Sequence, residues 1–219
     1  MIKSLRVTIY EFAMKAKESL KNQSPDGRHA RSDRTRAAVA SAMLECFMDG
    51  VLRPSAEEVA ARAGVSRRAV FRHFDNMDAL LEEVSRLQVE RVSRGQFPPV
   101  LEEGALDQRI DAIVAHSAHR NEVITPVRRA ALLSEPFSSV IQERHSWLRN
   151  KVRRQLNRVF SAELSRLPDT ERRLRTAQLR ALLSFSYWEA LRRHEGLSRS
   201  AAENVLGDAL RALIPSGIR

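Results

Sequence analysis

A chain of 219 residues with 43% hydrophobic content can build one compact domain, or a small head joined to a larger body, and is not a disordered polymer. Its 37 Lys+Arg against 27 Asp+Glu leave a formal net charge of +10, which favours a polyanionic partner, either nucleic acid or an anionic membrane surface. The single cysteine, Cys46, excludes an intramolecular disulfide, no apolar run approaches the ~20 residues that cross a bilayer, and the N-terminus lacks the apolar core of a secretory signal, so a soluble cytoplasmic protein is expected.

Residues 1–31 read as an N-terminal extension. Leu5, Ile9, Phe12, Ala16 and Leu20 follow helical spacing and suggest a short amphipathic helix, after which Pro25 and Gly27 give KNQSPDGRHARSD the composition of a linker. Two uses are open: a mobile tail, or a basic arm on DNA carried by Arg28, Arg31, Arg34 and Arg36. From Ser32 onward the periodicity is helical and no stretch alternates as a strand would. The spacing predicts nine helices, over 33–49, 55–62, 66–73, 77–93, 106–119, 122–133, 138–163, 169–194 and 199–213. Gly50 stops the first helix, Phe97-Pro98-Pro99 separates head from body, and Pro126 and Pro136 interrupt the body. The expected fold class is all-α, with a helix-turn-helix domain over 32–80 and a connecting, effector-binding and dimerisation domain over 81–219.

The informative stretch lies at 54–81. Ser55 can cap a short helix whose apolar positions Ala56, Val59, Ala60 and Ala63 recur at three and four. Gly64 sits where the chain must turn sharply, Val65 can plug the gap between two helices, and Ser66 caps the second. On that second helix Val70 and Phe74 share an apolar face, while Arg68 and Arg72 point roughly opposite with Ala69 beside them and Arg67 at the helix start. A short helix that is apolar behind and arginine-bearing in front suits the major groove, where the planar arginine fork matches guanine. The bland alternative is a helical hairpin with a solvated charged face. Cap, turn glycine, plug and two-faced helix together favour DNA.

This stretch, VAARAGVSRRAVFRHFDNMDALL, resembles the head of the TetR family (TetR/AcrR-like regulators), whose helix-turn-helix follows a pattern of the type IA-x-x-AGVS-x-x-x-[LV]-[YF]-x-HF-x-x-K-x-x-L. The motif-level resemblance covers about residues 32–90, and beyond that it extends to helix order and length. It implies that Arg67 and Arg68 touch base edges, that His73 contacts phosphate and that Ser55 caps the preceding helix. Phe71 replaces the usual tyrosine and loses a hydroxyl, and Met77 replaces the usual lysine and loses a charge contact. Arg72 and Arg36 could supply compensating phosphate contacts. The expected DNA-binding set is Arg36, Ser55, Ser66, Arg67, Arg68, Ala69, Phe71, Arg72 and His73.

The last two helices carry apolar stripes, through Leu174, Ala177, Ala181, Phe185, Trp188 and Leu191 and then through Ala202, Val205, Leu206, Ala209, Leu210 and Leu213. Such stripes serve an intramolecular core or a dimer. The resemblance implies a homodimer whose last two helices pair with their copies, with Ala177, Ala181, Phe185, Trp188, Val205, Leu206, Ala209, Leu210 and Leu213 at the interface. A two-fold dimer presents recognition helices about 34–36 Å apart and so implies a palindromic operator. His116, Phe137, Trp147, Phe185 and Trp188 are the candidates to line a pocket for a small apolar effector. His116 and His119 stand at a metal-compatible spacing, but no third ligand completes a site, so no metal and no cofactor is expected. The helix at 77–93 is read as the only continuous link by which an effector could reach the head.

Two rivals stand against a ligand-released repressor. An enzyme lacks support, because the sequence has no phosphate loop, nucleophile elbow or Ser/His/Asp constellation. A non-specific helical scaffold on DNA or a membrane surface would use the positive charge alone.

Overall fold

The computed structural model describes residues 27–94 and 97–214. They form ten α-helices and no strand, so the all-α fold class holds among the described residues. Contacts divide them into two compact units: the chain to Leu87 with residues 126–134, and residues 88–125 with those from Glu135 onward. Two helices therefore have residues in both units, where the sequence reading allowed one.

The first unit begins with α1, Gly27–Met48, six residues earlier than its predicted start. The linker reading fails over 27–32, whose backbone is helical. Thr35 Oγ1 donates to the Arg31 carbonyl at 3.0 Å and Arg34 Nε to that of Ala30 at 3.2 Å, so side chains of the predicted helix brace the turns that precede it. Residues 1–26, including the amphipathic helix expected from Leu5 to Leu20, lie outside the described residues. Helix α1 buries Val39, Met43, Cys46 and Phe47 at three- and four-residue spacing. Burial pushes the Cys46 thiol up, which keeps it protonated as a small core hydrophobe. Helices α2 (Ala56–Ala63) and α3 (Arg67–His73) pack on α1, and α4 (Met77–Arg94) follows, its first turn capped by Asn76 Oδ1 accepting from the Ala79 amide at 2.8 Å.

The second unit is built on α5, Leu106–Ser134, one helix where two were predicted. Pro126 lies inside it and coincides with the unit boundary, and the expected gap at 120–121 is absent. The reason is burial: Arg120 and Asn121, left between the two predicted helices, point into the core. A 3-10 turn at Glu135–Phe137 precedes α6, Ser139–Val159. The predicted helix over 138–163 breaks at Phe160, after which α7 takes Ser161–Leu164. The predicted helix over 169–194 also divides, into α8 (Asp169–Leu182), α9 (Phe185–Glu189) and a π-helical turn at Ala190–His194. Ser184 causes the first break, its Oγ accepting from the Tyr187 amide at 3.2 Å and so starting a new helix. Helix α10, Arg199–Leu213, lies where it was predicted, capped by Ser198.

The core of this unit gathers Ile110, Ile113, Leu156, Phe160, Leu179 and Trp188 with the inner face of α10. A buried ion pair crosses it, Arg109 Nη2 to Glu163 Oε1 at 2.5 Å, with Arg109 also donating to the Val159 and Gly104 carbonyls. Each partner stabilises the other's charge, so the Glu163 carboxyl sits below and the Arg109 guanidinium above its ordinary value. No helix among the described residues is long and apolar enough to cross a membrane.

Candidate nucleic-acid interface

The helix-turn-helix is held by local devices that the sequence spells out. Ser55 and Glu58 form a reciprocal cap on α2: the Glu58 amide donates to Ser55 Oγ at 3.2 Å, and the Ser55 amide donates to Glu58 Oε2 at 2.7 Å. These bonds hold the Glu58 carboxyl below its ordinary value. Gly64 ends α2 at φ +68°, a left-handed conformation that leaves the Val65 amide to close on the Ala60 carbonyl at 3.0 Å. Half-buried Val65 fills the turn, and Ser66 opens α3 by accepting from the Ala69 amide at 3.2 Å.

Helix α3 has two faces. Val70 and Phe74 are buried against the head, while Arg67, Arg68, Phe71 and Arg72 are exposed and Ala69 is half-buried between them. Arg67 lies across the Phe71 ring, 5.2 Å from its centroid, and pairs with Glu57 at 2.8 Å. That pair is largely solvated and holds Arg67 weakly, so a stronger acceptor can take it. Exposed Arg68 and Arg72 complete an apolar-backed, cationic helix.

Two expected contact residues are placed differently. Arg36 turns inward: Nη1 donates to the His73 carbonyl at 2.8 Å, and its guanidinium lies 4.4 Å over the Phe74 ring. It caps the last turn of α3 with a side chain that stays 45% exposed. His73 is half-buried with Nε2 enclosed and without a hydrogen-bond partner. Burial first, then Arg72 and Arg36, lowers its pKa, so the ring is neutral near pH 7 and must turn to meet a phosphate.

The body redistributes the remaining candidates. Of the expected pocket, Phe185 and Trp188 are core, whereas Phe137 is 87% exposed and Trp147 is exposed beneath Lys151. His116 donates from Nδ1 to the Pro98 carbonyl at 2.9 Å and contacts Phe97. Phe137 and Trp147 thus face solvent while Phe185 and Trp188 face the core, so the five do not share one environment. A surface cleft of about 460 Å³ lies elsewhere, between α5 and α10, with Asp111, Glu203, Asp208 and Arg211 among its lining. Of the expected interface, Phe185, Trp188, Leu206 and Leu210 are buried within the protomer, so they cannot meet a second copy. Ala177, Ala181 and Val205 are exposed, and Ala209 and Leu213 half-exposed. Leu174, 63% exposed, continues the outward stripe of α8. The interior also holds Ser117, Arg120 and Asn121, which the sequence reading missed. A signal existed: Ile110, Ile113, Ser117, Asn121 and Ile124 keep one helical phase, which puts polar residues on the apolar face.

Residues 42–84 match the family model described as bacterial regulatory proteins, tetR family. Among solved structures, a transcriptional regulator from Rhodococcus sp. Rha1 is 22% identical, with a TM-score of 0.58 over 83% of this chain and 95% of its own. A Pseudomonas aeruginosa PAO1 structure is 19% identical, with a TM-score of 0.60 over 89% of this chain and 93% of its own. The SmeT–triclosan complex is 19% identical, with a TM-score of 0.53 over 84% of this chain and 93% of its own. No curated protein matches the chain. At these identities the structures speak for the fold alone.

Proposed function

The chain carries the DNA-binding head of the tetR family of bacterial regulatory proteins, and from that premise we propose that it is a homodimeric cytoplasmic repressor, released from a palindromic operator by a small-molecule effector. DNA-binding transcription regulation comes with the head. The finer reading rests on one observation: α3 is capped at its entry by Ser66, apolar behind at Val70 and Phe74, and open in front at Arg67, Arg68 and Arg72. Arg68 reads a base edge, Phe71 offers a ring to a thymine methyl, and Arg72 and the α3 N-terminus meet phosphate.

The outward stripe of Leu174, Ala177, Ala181 and Val205 supports pairing of α8 and α10 with their copies. SmeT, a protein of this fold, has a structure as a complex with triclosan, which supports a small molecule as the effector. That molecule must bind better to the dimer whose heads are misplaced for successive grooves, because equal affinity would shift nothing.

Selection of duplexes from a random library by the purified full-length protein tests the reading. The expected product is a palindrome with half-sites about 10 base pairs apart or a multiple of that. Recovery of unenriched DNA would leave only the scaffold reading, driven by the net charge of +10.

A further inference from the structure

Ser117, Arg120 and Asn121 occupy one turn of α5 and are 1%, 5% and 1% exposed. Arg120 Nη2 donates to the Leu183 carbonyl at 2.8 Å and, at 3.4 Å, to its neighbour Asn121 Oδ1. Among the described residues no carboxylate pairs with it. The contrast with Arg109 is direct, since that buried guanidinium has Glu163 at 2.5 Å. The nearby Glu122 carboxylate is engaged by Arg192 at 3.0 Å instead. Asn121 Nδ2 and Ser117 Oγ are buried without a partner, and the charges that bear on His116, one turn earlier, are Arg120, His119 and Lys151. Desolvation without a compensating anion pushes the Arg120 pKa down to about 10.

The Leu183 carbonyl is available because the helix breaks there. In a continuous helix the Tyr187 amide would take it, but Ser184 Oγ captures that amide instead. One carbonyl uses one of five guanidinium N–H groups and neutralises none of the charge. The next turn of the same face carries Ile124, which packs with Phe185, Phe97 and Leu148. A cationic fork with two unsatisfied polar groups thus adjoins a small apolar cluster.

We propose that this site binds a small carboxylate with an apolar body, the carboxylate on the fork of Arg120 with Asn121 Nδ2 and Ser117 Oγ as further donors, and the apolar body against Ile124, Phe185, Phe97 and Leu148. Arginine's paired donors match a carboxylate, and entry of the anion supplies the missing counter-charge. The proposal rests on the reading of the body as an effector domain and changes the class of effector from apolar to amphipathic anion.

Thermal melting of the full-length protein with octanoate and phenylacetate, each against its amide, tests it. Wild type is expected to gain about 5–10 °C at an acid concentration a hundredfold above its Kd, with the amide at least roughly tenfold weaker. Arg120→Met, which keeps the length and removes the charge, should lose the preference for acid over amide. Arg120→Lys, which keeps the charge and loses the fork, should retain part of it and serves if Arg120→Met does not fold. Equal or absent responses to acids and amides in wild type, or an undiminished acid preference in Arg120→Met, would overturn the proposal. Release of a selected operator by the amides, regardless of Arg120, would sink the carboxylate site and leave the regulator standing. Arg120-dependent binding of the acids without operator release would uphold the carboxylate site and sink the reading of the body as an effector domain.

Discussion

Gly64 needs φ +68°, and a Cβ built there would meet no atom within 4 Å, so replacing it tests backbone conformation with little steric confusion. Gly64→Ala is expected to cost about 1–2 kcal/mol, read as a lowered Tm, with α2 and α3 otherwise intact. A second residue-scale expectation concerns the histidines. Burial lowers the pKa of His73, His116 and His119 below the ordinary 6.5, most simply because each ring is easier to charge in water than in the fold. The unfolded chain therefore binds protons first as pH falls. Stability from these groups is complete above pH 6.5 and declines as pH drops through that value towards their lower folded pKa values. Melting at pH 7.5 and 5.5 should show the lower Tm at 5.5, with a smaller drop in His116→Gln; equal Tm values would contradict the assignment. The head's residues were legible because their signals are local: Ser55 with Glu58, Gly64 and Ser66 each act within a few positions. Arg36's bond to the His73 carbonyl was not legible, because it joins residues thirty-seven positions apart.

At the scale of elements, periodicity located the helices but misjudged where they divide. The joined α5 and the divided α8–α9 fail for opposite reasons. Arg120 and Asn121 have the composition of a connector but are carried inside, whereas Leu182, Leu183 and Ser184 look continuous until Ser184 takes the Tyr187 amide. The apolar stripes were visible as stripes, but one sequence cannot apportion them between a protomer's own core and a partner. Folding does so: Leu206 and Leu210 face inward, and Leu174, Ala177 and Ala181 face out. The exposed α8 stripe predicts that Leu174→Glu shifts the sedimentation profile from dimer to monomer and weakens operator binding. The protomer's helical content should stay unchanged by circular dichroism, because Leu174 contributes little to the protomer's core. A variant that remains dimeric would place the interface elsewhere.

For the whole molecule, two terms govern its meeting with DNA. The net charge of +10 provides an attraction blind to sequence and weakened by salt. In the proposed reading the exposed face of α3 provides discrimination, because only groups at base edges distinguish one duplex from another. The first term was plain from composition. The second was foreshadowed by the two-faced spacing over 67–74, and the structure adds that Arg36 lies against the Phe74 ring while Arg68 and Arg72 are exposed on α3.

Fluorescence anisotropy with the selected palindrome and a scrambled duplex, across a salt series and for wild type and Arg68→Ala, tests sequence reading by α3 most directly. The expected result is wild-type binding to the palindrome about a thousandfold or more tighter than to the scramble. Arg68→Ala should lose about 1–3 kcal/mol of preference at one base position while its salt slope barely changes. Equal affinities for the two duplexes, fading together with salt, would contradict the account.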